Sequence, residues 1–313
     1  MADRIKITLL AGGVGGAKMA EGFDGLGNVD LSIIGNIADD AAFHGLWVSP
    51  DIDTLTYSLS DRIDRVQGWG VADEGMRALS VLNELGEDTW MTLGDRDFGL
   101  HIYRSHRLAQ GHSRSEIAAD IARAFGIKCQ IILPTDDVVQ TQVLTADGWL
   151  SFQEYFVRER CGPTVQQIKF DGIETAKPTT AALDAISAAD LIVFAPSNPL
   201  VSIDPILKIA GVRAAIEAAN AQKVAVSPLI DGKVIKGPAD KMMAALGMQP
   251  DVLGVAKHYQ GLIDTLFIDT LDARHSDAIS EMRITPVCDD IIMKTRGDKQ
   301  RLAQVICQVV CNA

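Results

Sequence analysis

The chain has 313 residues, 47% of them apolar, with 29 Lys and Arg against 41 Asp and Glu, a net charge of −12. This length and apolar content suit one large α/β domain or two small ones and exclude a globally disordered chain. The acidity excludes a broad nucleic-acid or anionic-membrane surface, so a phosphate group must be met by local donors or by a bound cation.

The first element is a strand over Ile5 to Leu10, a short apolar and β-branched run. Gly12, Gly13, Val14, Gly15 and Gly16 follow, and Ala17 to Gly22 begins a helix that carries Lys18. A glycine turn between strand and helix aims backbone N–H groups and the positive end of the helix dipole at one spot, which suits an anion. It reads as a phosphate cradle with Lys18 as an added positive charge. The plain alternative is a tight strand–helix turn and a solvated lysine. Neither common fingerprint is complete: Lys18 stands at the third glycine position of G-x-G-x-x-G, and Met19 where a P-loop has Ser or Thr.

A second strand, Leu31 to Ile34, ends at Gly35-Asn36. The polar stretch after it reads as a loop. It holds Asp39, Asp40, Asp51, Asp53 and Asp61, with Trp47 and Tyr57 among them. Asp73 is placed to cap a helix through Leu85, and Asp95 or Asp97 to cap one carrying Arg104 and Arg107. Ser113 to Glu116 is a capping box for a helix that Gly126 stops. Lys128 to Leu133 reads as a strand. Val138 to Thr145 and Trp149 to Tyr155 alternate around Asp147-Gly148, a hairpin signal, and Ile168 to Phe170 is a further short strand.

The strand–helix alternation then resumes. Helices are expected over Thr179 to Ala189, Pro205 to Ala219, Pro238 to Leu246 and Asp298 to Val310. Strands are expected over Leu191 to Ala195, Lys223 to Val226, Leu266 to Asp269 and Arg283 to Val287. No repeat, low-complexity segment or linker is visible. The pattern is α/β and Rossmann-like: a mostly parallel, doubly wound sheet in one domain, residues 1–313, with a hairpin insertion at 136–160.

Five cysteines, Cys129, Cys161, Cys288, Cys307 and Cys311, form no C-x-x-C pair, and Cys307 and Cys311 sit one helical turn apart as core residues. Their odd number suggests a reducing compartment. The N-terminus is a poor signal peptide, and no apolar run approaches the about 20 residues of a membrane span. A cytoplasmic protein is expected.

In doubly wound sheets, ligands lie beyond the carboxyl ends of the strands. There the chain places Gly12 to Gly16, Asn36, Ser197-Asn198 and Ser227, all small or polar apart from Val14. A dinucleotide site would want an acid ending the second strand, where Gly35-Asn36 stands instead, so NAD is disfavoured. The aspartates suggest magnesium (Mg2+), held by two carboxylates of one loop and neutralising donor phosphates. Asp39 and Asp53 are the best pair, Asp40 and Asp51 the less favoured neighbours; cap or turn duty is the alternative for each. His44, alone in its loop, reads as structural. Arg96 either pairs with Asp95 and Asp97 or meets a phosphate. Trp47, Trp69 and Phe98 suit core packing or stacking on a flat ring.

The motifs GGVGGAK, GNIADDAAFHG, SPDIDTLTYSLSD, RVQGWG, LGDRDFGLHIYRS, LPTDD, FQEYFVR, APSNPLVSIDPIL, VSPLI and KGPADKMM occur in this order. The series, from Leu9 to Ala273, resembles the 2-phospho-L-lactate transferase family, which builds the deazaflavin coenzyme F(420). The resemblance implies a reaction. A guanosine diphosphate-linked three-carbon acid, made by a guanylyl-transferring partner enzyme, gives its phospho-acid portion to the terminal ribityl hydroxyl of Fo (7,8-didemethyl-8-hydroxy-5-deazariboflavin), and GMP leaves. The acid is 2-phospholactate, phosphoenolpyruvate or 3-phosphoglycerate. By motif, Asp39 and Asp53 look like the metal carboxylates, Asp53 also lying near the Fo hydroxyl. Thr92 stands where some relatives line the Fo site with Lys. Ser197 and Asn198 look like nucleotide contacts. A Rossmann-like fold and a homodimer are also implied. The alternative is a nucleotide-sugar-binding regulatory protein of the related gluconeogenesis-factor branch, which shares the glycine loop.

Overall fold

The apolar run near the N-terminus forms β1 (Ile5–Ala11), whose last five residues are buried. In the computed structural model, which describes residues 4–311, β1 leads into α1 (Gly13–Asp24) and β2 (Val29–Gly35). A short hairpin, β3 (Ala41–Phe43) and β4 (Leu46–Val48), precedes α2 (Pro50–Leu59). Three helices, α3 (Arg77–Glu84), α4 (Asp95–Ala109) and α5 (Arg114–Ala124), come before β5 (Gln130–Ile132). The strands β6 (Gln140–Thr145), β7 (Gly148–Ser151) and β8 (Gln167–Asp171) make a separate antiparallel sheet. The second half runs α6 (Thr180–Ala188), β9 (Leu191–Phe194), α7 (Asp204–Lys208), α8 (Val212–Ala218) and β10 (Gln222–Val226). A two-residue-per-strand hairpin, β11 (Leu229–Ile230) and β12 (Lys233–Val234), is followed by α9 (Ala239–Ala245) and α10 (Val252–Tyr259). The chain closes with β13 (Thr265–Ile268), α11 (Ser276–Glu281), β14 (Thr285–Cys288) and α12 (Arg296–Cys311).

Seven strands pair in parallel in the order β14-β13-β10-β9-β1-β2-β5. The expected α/β, Rossmann-like sheet is therefore present, and its pairings are all parallel. The chain builds outward from β1 to β2 and β5, then returns to place β9 on the other side of β1. The strand order reverses there, which opens a crevice past the carboxyl ends of β1 and β9. Alternate residues feed opposite faces of the sheet. Leu10, Ile34 and Phe194 enter one hydrophobic cluster; Leu9, Ile33 and Val193 enter the other. Helices α2 and α12 both pack on α1 over the second face. Among the described residues, no helix is long and apolar enough to cross a membrane.

Several expected bounds shift for identifiable reasons. The helix expected from Pro205 to Ala219 is two helices, because Gly211 adopts a left-handed φ of 84° between them. The second arm of the expected hairpin stops at Ser151, and residues Glu154–Arg158 form a π-helical turn instead. The Ile168 to Phe170 strand joins β6 as the third strand of that sheet. The stretch read as an aspartate-rich loop contains β3, β4 and the whole of α2. Asp73 lies in a turn with φ 54°, and α3 begins only at Arg77. Helix α4 is capped by Asp97, as expected, whose Oδ2 accepts from Gly94 N at 3.4 Å, and also from outside: Glu74 Oε1 accepts from the N–H groups of Arg96 and Asp97 at 2.6 and 2.9 Å. Asp95 instead caps α3, accepting from Ala78 N at 3.0 Å.

Candidate active site

The glycine turn is the start of α1 itself. Gly12 is its N-cap in extended backbone, and Gly13, with φ 60°, turns the chain into the helix. The glycines permit three close approaches. A Cβ on Gly12 would lie 2.7 Å from both Asp51 Oδ2 and Ser202 Cβ, one on Gly16 2.9 Å from Ala11 Cβ, and one on Gly15 would overlap the Pro196 carbonyl oxygen. Ser197 spends its hydroxyl on this turn: its Oγ donates to Gly12 O at 2.6 Å and accepts from Gly12 N at 3.2 Å. The Gly15→Ala variant is expected to lose about 1–3 kcal/mol of stability, because the overlapping atom is backbone and cannot swing aside. Urea denaturation checks this; an unchanged midpoint would show that the turn is not held against β9.

The turn opens on a cavity lined in part by Val14, Gly15, Lys18, Asn198, Ser227 and Lys236. Val14 and Gly15 stand in the first turn of a 12-residue helix, where N–H groups have no acceptor within the helix. Lys18 is half-buried and makes no hydrogen bond or salt bridge among the described residues. Burial, and then the charges of Lys299 and Lys236, hold its ammonium below the usual lysine range. Asn198 lines the same cavity, but its Oδ1 accepts from Leu200 N at 3.0 Å as a cap.

Next to the turn lies a buried acid cluster. Asp39 and Asp40 follow β2, while Asp51 and Asp53 sit in the first turn of α2 behind Pro50, where the dipole favours carboxylates. All four are buried, at 4–7% exposure. Asp51 Oδ2 accepts from Asn36 Nδ2 at 2.9 Å and lies against the glycine turn, within 2.7 Å of where a Gly12 Cβ would stand. Asp40 Oδ2 accepts from Ser49 Oγ at 2.8 Å and Trp47 Nε1 at 3.2 Å. Asp39 Oδ1 and Asp40 Oδ1 have no partner at all. Burial pushes the carboxyl of Asp40 up to about 7 and that of Asp51 up to about 6. It pushes Asp39 well above the carboxylate range, with the charges of Asp51 and Asp40 adding to it. The antiparallel sheet braces this segment: Thr141 N donates to Ala38 O at 2.7 Å and Gln140 Nε2 to Asp40 O at 2.8 Å.

Asp53 is different in kind. Both its oxygens face the buried Arg104 of α4: Nη2 donates to Oδ1, and Nη1 to Oδ2 at 3.2 Å. Arg104 Nη1 also lies 3.1 Å from His101 Nδ1 and 3.3 Å from Trp47 O. In the same helix Asp97 Oδ1 accepts from Tyr57 Oη at 2.7 Å. So the carboxylates expected as a pair in one loop sit on two elements, and Asp53 already has a cationic partner. The carboxylate that weighs most on Asp39 is Asp51.

The remaining expected residues scatter around this centre. Thr92 is exposed, two residues before Gly94 at the start of α4. Arg96 donates to Ala72 O at 2.6 Å and so braces a loop. His44 occupies the β3–β4 turn with φ 50°. Phe98 is buried, Trp69 is 49% exposed, and Arg114 stacks over the Trp47 ring at 4.5 Å. Cys129, Cys161 and Cys288 are unbridged and Cys307 is buried; the Cys311 side chain lies outside the described residues. Reading the sequence alone misses Arg104 as Asp53's partner, Asp51 as the acid against the turn, and Lys236.

The sheet, the turn and the acids together define a Rossmann-like α/β protein with a glycine turn and a buried acid cluster at its topological switch point. The comparisons with known proteins name the group. Residues 7–312 match the model of the 2-phospho-L-lactate transferase CofD family, and the chain belongs to that family. It is 39% identical over 308 residues to a phosphoenolpyruvate transferase of Streptomyces coelicolor, covering 96% of each chain. It is 40% identical over 276 residues to the phosphoenolpyruvate transferase of Streptomyces griseus, covering 86% of this chain and 87% of the other. A 2-phospho-L-lactate transferase of Methanocaldococcus jannaschii is 34% identical over 305 residues, 96% of each. Protein BH3568 of Bacillus halodurans shares the fold, with a TM-score of 0.67 at 15% identity over 97% of this chain and 100% of the other.

Proposed function

We propose that this chain transfers a phospho-three-carbon acid from its guanosine diphosphate-linked form to Fo, releasing GMP, in coenzyme F(420) biosynthesis. The observation that carries the reading is the meeting of the glycine turn and Lys18 at one cavity, with Asp51 against the turn and the buried, unsatisfied oxygen of Asp39 in the acid cluster behind it, in a chain of this family. The Fo hydroxyl oxygen attacks the phosphorus that bears the acid. A phosphodiester bond forms, the anhydride bond to the GMP phosphate breaks, and the hydroxyl proton is lost. Such a transfer needs positioning and charge neutralisation above all.

The first-turn N–H groups of α1 and the Lys18 ammonium orient and neutralise the donor phosphates, with Asn198 beside them. Ser197, beside Asn198, contacts the nucleotide while its hydroxyl holds Gly12 in place. Asp53, fixed in orientation by Arg104, orients the Fo hydroxyl, with Thr92 at the outer edge of the Fo site. Asp39 fits a hard divalent cation, because its buried Oδ1 lacks any partner while neighbouring acids crowd it. Asp39 would hold magnesium, with Asp51 or Asp53 as second carboxylate. Among the described residues no three His, Cys, Asp or Glu side chains form a metal cage, which suits an ion completed by substrate phosphates. Magnesium, when bound, supplies charge neutralisation to the donor phosphates. The chain acts as a homodimer in the cytoplasm, fed by a guanylyl-transferring enzyme.

The test is incubation with Fo, GTP, magnesium and each of 2-phospholactate, phosphoenolpyruvate and 3-phosphoglycerate, with that partner enzyme present. Phosphoenolpyruvate and 2-phospholactate are favoured by the names of the relatives. Mass spectrometry is expected to find Fo joined to one acid through a phosphodiester. Unchanged Fo with all three acids would defeat the proposal.

A further inference from the structure

Two ammonium groups face one cavity with no carboxylate in its lining. Lys18 comes from α1, and Lys236 comes from the segment between β12 and α9. Lys18 makes no hydrogen bond or salt bridge among the described residues and feels Glu21 only as a neighbouring charge, and Lys236 donates to a neutral group, the Gln67 backbone carbonyl. The nearest acid of α1 is already spent. Glu21 takes Lys299 at 2.5 Å, Arg65 at 3.1 Å and Arg296 at 3.2 Å. Lys236 also meets the turn from outside. A Cβ on Gly68 would lie 3.3 Å from Lys236 Nζ and 3.7 Å from Val14 Cγ1, so the Gln67-Gly68 loop and the β12–α9 segment converge over Val14. The charge of Lys236 helps to hold the Lys18 ammonium below its usual range, a repulsion that an anion between them would relieve.

We infer that Lys236 grips the pyrophosphate of the nucleoside diphosphate-linked donor from the side opposite α1, so that the donor is held between two lysines. The inference rests on the transferase reading above and adds the second cation of its donor site. Lys236 is exposed and precedes Gly237, which has φ 85°, and buried Pro238, while its ammonium rests on the Gln67 carbonyl.

Calorimetric titration of GDP, inorganic pyrophosphate and Fo into the wild type and into K236M, K236Q and K236R tests this. K236M and K236Q are expected to weaken GDP and pyrophosphate about tenfold, which is about 1.4 kcal/mol, and to flatten the salt dependence of both. K236R is expected to stay within about threefold, since it keeps the charge, and Fo binding is expected to be unchanged. A glutamine can still donate to the Gln67 carbonyl, so a role limited to holding that loop predicts wild-type affinity in K236Q. Wild-type affinity of K236Q for pyrophosphate would overturn the inference. Wild-type protein that binds pyrophosphate but not GDP would sink the donor reading alone, and the K236Q result with pyrophosphate would still decide for or against Lys236. Wild-type protein that binds neither at millimolar concentration would overturn both.

Discussion

Asp39→Asn is expected to stop turnover, by more than about 100-fold, and to leave the protein at least as stable as the wild type. The two halves of that outcome have one cause. Asp39 is buried, its Oδ1 has no hydrogen-bond partner, and Asp51 and Asp40 press negative charge on it. A buried, unpaired acid works against folding. Asparagine has nearly the same shape and no charge, so it relieves the repulsion from Asp51 and Asp40. What it loses is the anionic oxygen that the proposed magnesium requires. Steady-state rates with Fo and donor, set beside thermal melting, check the pair of effects. Near wild-type, magnesium-dependent turnover in the variant would remove Asp39 from the site. A melting temperature well below wild type would show that the cluster serves the fold.

Arg104→Met is expected to have the largest effect on stability, a loss of about 3–5 kcal/mol. The Asp53–Arg104 pair is 6% exposed on both sides, and Arg104 also holds the Trp47 carbonyl. Removing the guanidinium strands the Asp53 carboxylate in a site from which water is excluded. The double variant Asp53→Asn with Arg104→Met removes the stranded charge and is expected to recover a large part of the loss. Urea denaturation of the two single variants and the double variant measures this as a cycle. A loss under about 1 kcal/mol for Arg104→Met would mean that the pair is not closed in solution. The same cycle clarifies Asp53→Asn. Its loss of activity counts toward chemistry only after the cost of an unpaired Arg104 is known.

The parallel sheet was legible because its strands are short apolar runs ended by glycine, proline or asparagine, as at Gly35-Asn36 and Pro196. The glycine turn was legible as well, since Gly12, Gly13, Gly15 and Gly16 stand together after a strand. Helix α2 was hidden because Asp51 and Asp53 gave its segment the look of a loop. Its signal was the spacing of Ile52, Leu55 and Leu59, of which the first two are buried. The break at Gly211 was written in the sequence as a glycine inside a helical pattern. The Asp53–Arg104 pair was not legible, since the two residues are 51 positions apart and nothing local joins them. For the same reason the bond of the Ser197 hydroxyl to Gly12, 185 residues earlier, was not legible.

That long separation has a consequence for synthesis. The ribosome makes β1 almost at once, yet its neighbour β9 arrives only with Leu191. Until then one edge of β1, a strand whose last five residues are buried in the finished protein, has no partner, and unpaired apolar edges are where nascent chains associate wrongly. A transcript cut short before β9 would encode a polypeptide with half a crevice and a sticky margin, a substrate for chaperones and proteases rather than a weaker enzyme.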